Sequence, residues 1–378
     1  MKRVYLDNAA TTPVCEAAIR AMQEAAKNVY GNASGVYSTA RTARACLERA
    51  RQTVAELIGA DAREIYFTSG GTESDNWALK GAAYRAQSGH IITSAIEHPA
   101  VLRTCDFLEK LGFSVTRLPV DAYGTVDPDD VTRAIRKDTI LISVMTANNE
   151  IGTVEPVRQI GALARAAGIP FHTDAVQAAG ILPINVHAYQ VDMLSLSAHK
   201  FHGPKGVGVL YVRNGIRLES LLHGGEQERG KRASTENVPG VAGMAAALSF
   251  SCSSAADAAK GMASLRDKLL RKLLEALPDI VVNGHQESRL PGNLHICIPQ
   301  VKDESLIPLL DLNGVEASSG SACMAGSYLP SHVLKAIGRE EHLIPGALRL
   351  TLSCFTTEEE IDLAADRIIS TVHQLRKG

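Results

Sequence analysis

Lys200 sits inside Ser197-Ala198-His199-Lys200-Phe201-His202-Gly203-Pro204-Lys205-Gly206, and a lone acidic side chain, Asp174, stands earlier in His172-Thr173-Asp174-Ala175-Val176-Gln177. An amine that can hold an aldehyde as a Schiff base, paired with a carboxylate that can keep a pyridine nitrogen protonated, is the equipment of pyridoxal 5'-phosphate chemistry. The carboxylate makes the ring an electron sink, and the lysine becomes a base once substrate has displaced it. A third segment, Ser318-Ser319-Gly320-Ser321-Ala322-Cys323-Met324-Ala325-Gly326, sets a cysteine among small residues. That is the setting of an exposed nucleophile more than of a packed core, where a free cysteine otherwise behaves as a small hydrophobe. Together the three point to a pyridoxal-phosphate enzyme that works on sulfur.

Other residues fit the same chemistry less specifically. Ser69-Gly70-Gly71-Thr72-Glu73-Ser74 joins a strand to a helix. Glycines let the backbone approach an anion, and a helix N-terminus offers free N–H groups and a favourable dipole. Taken alone, the run is a tight turn with Thr72 as helix cap; Ser197 and His199, expected one strand-end away, add phosphate donors and favour the anion site. His98, in Ile96-Glu97-His98-Pro99, could lie over a flat ring, although a lone loop histidine is more often solvated. Asn148, Asn149 and Gln177 supply neutral amides for a ring hydroxyl or a substrate carboxylate. Asp174 could simply cap the short turn that follows it, which leaves Lys200 in the neighbouring loop unexplained.

These groups need a scaffold, and the composition allows one. The 378 residues suggest two domains, and 45% hydrophobic with 21% charged residues is ordinary for a globular chain with a core. A net charge of −2 gives no electrostatic case for nucleic acid or an anionic membrane. No apolar run approaches a membrane span, and the N-terminal segment lacks a signal-peptide core. Seven scattered cysteines, without a Cys-x-x-Cys pair, argue against a disulfide framework and against a metal site within one chain. A reducing cytoplasm is the expected location.

Short apolar stretches at 64–68, 90–94, 114–118, 140–145, 170–173, 193–195 and 208–212 read as strands. Amphipathic patterns at 39–58, 72–87, 99–111, 128–136 and 157–167 read as helices between them. The rhythm predicts an α/β fold, a mostly parallel seven-stranded sheet with helices on both faces. A long helical stretch over 241–277, broken near Ser251-Cys252-Ser253-Ser254, leads into a smaller α+β part. That part has strands at 293–298 and 347–352 and helices at 304–312, 331–337 and 357–375. The expected division is a large cofactor-binding domain over 13–255, with 1–12 and 256–378 forming a small domain that carries the Cys323 loop. Ligands of open α/β sheets sit at the carboxyl ends of strands, where Asp174 and Lys200 fall.

Asp7-Asn8-Ala9-Ala10-Thr11-Thr12-Pro13, SGGTESDN (69–76), EHPAV (97–101), TANNEIGT (146–153), HTDAVQAAG (172–180), SAHKFHGPKG (197–206) and SSGSAC (318–323) follow one another as they do in the pyridoxal-phosphate-dependent cysteine desulfurases. The chain resembles the nitrogen-fixation and iron–sulfur-cluster type, within aminotransferase class V, over essentially its whole length. The resemblance implies a fold-type-I homodimer that converts L-cysteine to L-alanine and leaves a persulfide on Cys323. The sulfur would pass to an acceptor protein, a cluster scaffold or a tRNA-thiolation enzyme. Position by position, it implies Lys200 as the cofactor-bearing lysine, Asp174 on the pyridine nitrogen and His98 stacked on the ring, where it can shuttle protons. It puts Gln177 on the ring hydroxyl and Gly71, Thr72, Ser197 and His199 around the phosphate, with Thr235 reaching in from the second subunit. Asn149 and Arg349 would grip the substrate carboxylate. No metal site is implied.

Several positions depart from the family pattern. Gly224-Gly225-Glu226-Gln227-Glu228 carries Glu226 near a site that must bind an anion, and Arg232-Ala233-Ser234-Thr235 has serine where the family has glycine. A positive φ there would strain Ser234. Asn32-Ala33-Ser34-Gly35-Val36-Tyr37 and Thr351-Leu352-Ser353-Cys354-Phe355 also differ, the latter placing a cysteine five residues beyond Arg349. The remaining cysteines, Cys15, Cys46, Cys105, Cys252 and Cys297, read as packing residues. Rival readings are a selenocysteine lyase on the same scaffold, an aminotransferase, or a catalytically weak scaffold for sulfur transfer; fold alone does not choose among them.

Overall fold

The computed structural model describes residues 2–320 and 330–377. The chain opens with a two-residue strand, β1 (Val4–Tyr5), and two helices, α1 (Glu16–Asn28) and α2 (Ser38–Ile58). Helix α2 ends at Gly59, whose φ of 72° gives the left-handed turn that frees the chain to enter the sheet. Then come β2 (Ile65–Thr68), α3 (Gly71–Ala86), β3 (His90–Ser94), α4 (Pro99–Lys110), β4 (Ser114–Leu118), α5 (Pro128–Ala134), β5 (Thr139–Ser143), α6 (Val157–Ala167) and β6 (Phe171–Asp174). The short α7 (Val186–Tyr189), β7 (Met193–Ser197) and β8 (Gly208–Val212) complete the seven-stranded sheet.

Its order is β2-β8-β7-β6-β5-β3-β4. Every strand runs parallel except β8, which is antiparallel to both β2 and β7. The central strands β3, β6, β7 and β8 are buried residue for residue, as expected when helices cover both faces. That is the mostly parallel α/β sheet which the alternation of apolar and amphipathic segments predicts.

Beyond the sheet lie the four-residue α8 (Gln227–Gly230), then α9 (Val238–Ser253) and α10 (Ala255–Ala276). Helix α9 is apolar on all sides and packs on α1 and α2, so it is a core helix. It meets α10 at a bend of 70°, at the serine patch where the sequence predicts a break. Among the described residues no single helix is long and apolar enough to cross a membrane. The last part contains β9 (Val281–Asn283), β10 (Asn293–Cys297), α11 (Asp303–Leu312), β11 (Val315–Glu316), α12 (His332–Ala336), β12 (Ala347–Thr351) and α13 (Glu358–Lys377). Strands β12-β10-β9 form an antiparallel sheet, and β1 pairs with β11.

One large apolar cluster joins α1, α2 and α9 to the sheet. A second gathers Val4 and Leu6 with side chains from α10, α11, α13, β10 and β12. The N-terminal strand is thus packed with the C-terminal part. The segment after it, Asp7 to Thr12, crosses to the carboxyl end of the large sheet, where Thr12 N–H donates to the His199 carbonyl at 3.0 Å.

Candidate active site

The site is assembled at the carboxyl ends of neighbouring strands. Asp174 is the last residue of β6 and pairs in register with Ser195 of β7. Two residues further, β7 ends at Ser197, and one 3-10 turn, Ala198–Lys200, brings the lysine round. On the other side of β8, β2 feeds through Ser69-Gly70 into α3. Gly70 has φ +155°, and a Cβ on Gly71 would stand 2.7 Å from Val176 Cγ2, so both glycines let the helix start close against the loop after Asp174. Strand β3 leads to His98, the cap of α4, and β5 leads to Asn149. The result is a cavity of about 350 Å³ whose lining includes Gly71, Thr72, His98, Asn149, Asp174, Gln177, Ser197, His199, Lys200 and Arg349. Ten of the residues singled out from sequence therefore face one space.

Asp174 is buried, and Oδ1 accepts the Val176 N–H at 2.9 Å, so it does cap its own turn. The expected cap and the expected site are the same residue, since the other oxygen is left for the cavity. Burial raises its pKa to about 6, while the Val176 bond and the nearby Lys200 charge act the other way. Beneath it lies Asp75 of α3, fully buried, whose pKa is raised well above the carboxylate range by burial and by Asp174. Two like charges so close cannot both persist cheaply. Asp75 therefore keeps its proton, and Asp174, nearer Lys200, carries the charge. His172, 3.6 Å from Asp75, is held neutral by burial, its pKa near 3, and is bonded to Ser143 and Ser195.

Lys200 Nζ donates to the carbonyls of Ala9 and Ala10 at 2.6 and 2.8 Å, and Gln177 Nε2 donates to the Ala9 carbonyl at 3.0 Å. The crossing N-terminal segment thus positions the amine. His98 Nδ1 accepts the Ala100 N–H at 3.1 Å, which leaves its ring proton on Nε2. Burial, with help from Lys200 and His332, lowers its pKa to about 4, so the ring is neutral. Burial likewise takes His199 to about 4, and its Nδ1 lies 3.2 Å from Thr11 Oγ1. Arg349, 1% exposed, spends Nη1 on the carbonyls of Asn149 and Gly320 and Nη2 on Asp7 at 2.7 Å. A bidentate grip on a carboxylate would exchange some of these bonds, and its Nε has no partner among the described residues.

One expectation changes. Thr72 does not cap α3; Gly70 holds the cap position and Thr72 lies in the first turn. Thr235 is exposed and does not line the cavity of its own chain, and Glu226 is exposed as well. The acidic residue of that segment that matters locally is Glu228, buried against Arg51. Ser234 does take a positive φ, +96°. Cys323 lies outside the described residues. Sequence reading missed Asp75 and Glu97. Asp75 falls four residues after Gly71, one helical turn on, so it shares the cavity face. Glu97, fully buried and raised to about 8 by that burial, accepts from Ser94 Oγ and Met145 N–H, and nothing in its spacing marks it.

The cavity suits pyridoxal phosphate by the chemistry of its donors: an amine for the aldehyde, an anionic carboxylate for the ring nitrogen, and hydroxyl, imidazole and helix N–H groups for a phosphate. Among the described residues no group of His, Cys, Asp and Glu could hold a metal ion. Fold and site together define a fold-type-I pyridoxal-phosphate enzyme. More narrowly, residues 4–363 match the Aminotransferase class-V family, and the chain belongs to it. It is 48% identical to the "Cysteine desulfurase IscS" of Methanosarcina thermophila over 99% of its own length and 93% of that protein. A solved "NIFS-LIKE PROTEIN" superposes with TM-score 0.93 at 38% identity, covering 98% of this chain and all of that one. "SspA in complex with cysteine" does so with TM-score 0.84 at 36% identity, covering 94% and 100%.

Proposed function

We propose that the protein is a cysteine desulfurase: L-cysteine gives up its sulfur to Cys323 and leaves as L-alanine. The observation that carries this reading is the single cavity shared by Lys200, Asp174 and Arg349, in a chain nearly half identical, end to end, to a relative named for that reaction. The cysteine held by the solved SspA relative supports the same substrate.

Lys200 would hold the cofactor aldehyde, with Asp174 on the pyridine nitrogen, Gln177 on the ring hydroxyl and Thr72, Ser197, His199 and the start of α3 at the phosphate. When bound, pyridoxal phosphate supplies a sink for the electron pair left by the substrate α-proton. Lys200 accepts that proton on Nζ. Asn149 and Arg349 hold the substrate carboxylate, which aims the sulfur at Cys323. The Cys323 thiolate attacks it, so one C–S bond breaks and one S–S bond forms; since the thiol is a poor nucleophile, its proton must leave first. His98, neutral with its proton on Nε2, can return a proton to the departing carbon skeleton. The balance is cysteine plus enzyme thiol giving alanine plus enzyme persulfide, with no outside oxidant. Thr235, exposed on its own chain, is available to the phosphate of a second copy, which supports a homodimer. A sulfur-acceptor protein and the cytoplasm complete the reading.

The test is to incubate cofactor-loaded protein with L-cysteine and measure alanine by chromatography and Cys323 persulfide by peptide mass spectrometry. Wild type should give alanine, with a 32 Da sulfur added at Cys323. Lys200→Ala should give neither, and Cys323→Ala should lose turnover by about 10³-fold. Pyruvate as the main product, or near-normal turnover by Cys323→Ala, would overturn the assignment.

A further inference from the structure

Behind the cofactor cavity lies a second, smaller one. Its walls include Ala9, Gln177 and Lys200, shared with the first, and it reaches the surface at Cys354. Cys354 is exposed, and its Sγ lies 3.5 Å from His202 Nε2. His202 itself is 7% exposed, and its Nδ1 is 3.0 Å from the Pro13 carbonyl. A carbonyl oxygen only accepts, so the ring proton sits on Nδ1 and the Nε2 lone pair points at the thiol. The ring is held edge-on by Phe355 at 4.8 Å and by Phe250 at 6.3 Å, which stack on each other. A nucleophile within reach of a base, the base oriented by a third group, is the arrangement that activates thiols and hydroxyls. Nothing in the chemistry of the cofactor cavity uses it.

We propose that Cys354 and His202 form a second reactive-thiol site, one that takes compact low-molecular-weight disulfides by thiol–disulfide exchange. His202 Nε2 removes the Cys354 proton as Sγ attacks one sulfur of the disulfide. The S–S bond of the small molecule breaks, a new S–S bond to Cys354 forms, and the proton passes from His202 to the departing thiolate. One disulfide replaces another, so no further oxidant is required. Partial desolvation on its cavity side holds the exposed Cys354 thiol above its ordinary pKa and burial holds the imidazole below its own, so the pair rests neutral and reacts by base assistance. The other titratable groups facing the pair are the buried Cys15 thiol and, across the cavity, Lys200.

The cavity also selects by size. It holds about 50 Å³, lined by Ile181, Met262, Leu290 and Leu352 among others. At about 10–15 Å³ for one water, that is room for roughly three to five waters. A two-carbon thiol can lie inside it, whereas the bulk of a tripeptide thiol has to stay outside, at the surface beside Cys354.

The experiment treats the cofactor-loaded enzyme at pH 7 with hydroxyethyl disulfide or with glutathione disulfide, and follows each cysteine by peptide mass spectrometry, so that adducts on Cys323 are counted separately. Cys354 should take the hydroxyethyl adduct at least about tenfold faster than the glutathione adduct, and faster in the native protein than in urea. His202→Asn should slow it by about tenfold or more at pH 7 and match wild type near pH 10, where the thiolate forms without a base. A general structural loss would not be rescued by pH. The proposal fails if native Cys354 reacts more slowly than unfolded Cys354, if the two disulfides react alike, or if His202→Asn leaves the rate at pH 7 unchanged. It also fails if the product is a Cys15–Cys354 disulfide in place of the adduct.

Discussion

Ser234 shows how one side chain can work against its backbone. At φ +96° a residue with a Cβ is strained; the Ser234 N–H donates to Gln227 Oε1 at 3.2 Å, while its hydroxyl has no hydrogen-bond partner among the described residues to compensate. The neighbouring Arg232 grips Glu73 through Nε and Nη2 at 2.8 and 3.0 Å, which ties this turn to the first turn of α3, beside the proposed phosphate site. Strain in the turn is therefore borne close to the cofactor. Ser234→Gly should raise stability by about 1 kcal/mol in urea titration, the strain relief slightly exceeding the added freedom of the unfolded chain. It should also slow loss of pyridoxal phosphate in dialysis. Ser234→Ala keeps the Cβ and should gain nothing; equal gains from alanine and glycine would show that the φ is not the cause. Serine in place of glycine was legible as a hazard in the sequence. What the sequence hid was Arg232 reaching Glu73, because residues so far apart acquire a relation only through the fold.

At the level of elements, strands and helices with strong periodicity were legible and their partners were not. The alternating apolar segments marked β3, β4 and β8 to the residue, and the serine patch marked the bend between α9 and α10. β1, β9 and β11, with two or three residues each, offer too few positions for a period, and α1 was overlooked although it is amphipathic. The same limit hid the role of Glu228. It sits in the short α8 with φ +45°, next to Arg229 at +60°, and a sequence reading sees only a charged loop. In the structure Glu228 accepts from Arg51 Nη1 and Nη2, both at 2.8 Å, and from the Phe67 N–H at 2.9 Å. Arg51 of α2 is itself 4% exposed and stacks over Phe67 at 4.6 Å. One carboxylate thus pins α8 to both α2 and β2 and sets the start of the loop that presents Thr235. Removing one partner of a buried pair leaves a charge without compensation. Glu228→Ala should cost about 3–5 kcal/mol in urea unfolding, and Arg51→Met with Glu228→Leu should cost distinctly less. Equal losses in the single and double variants would place the stabilisation elsewhere in the segment.

Across the whole molecule, buried ionisable groups pull the pH dependence of folding in two directions. His98 and His199 have folded pKa values near 4, and His172 and His295 near 3, all depressed by burial. The unfolded chain binds protons at these rings between those values and about 6.5, so they lower stability as pH falls through that range. Glu97 and Glu155 do the opposite. Burial raises both to about 8, the folded chain holds their protons longer than the unfolded chain, and stability is lost as pH rises from about 4.5 to 8. Below pH 6.5 the two sets oppose each other; above it the carboxyls act alone. Glu155 separates this effect from cofactor chemistry, because it does not line the cofactor cavity. One of its oxygens accepts the Val126 N–H at 2.8 Å and the other has no partner among the described residues. An amide can keep that bond and cannot ionise. Between pH 6.5 and 8 the wild-type apoprotein should therefore lose roughly 2 kcal/mol more stability than Glu155→Gln, at about 1.36 kcal/mol for each pH unit of differential proton binding. Urea titrations at the two pH values measure the difference directly. Parallel slopes for the two proteins would mean that Glu155 ionises in the folded state as readily as in the unfolded one, and that the space around it admits water.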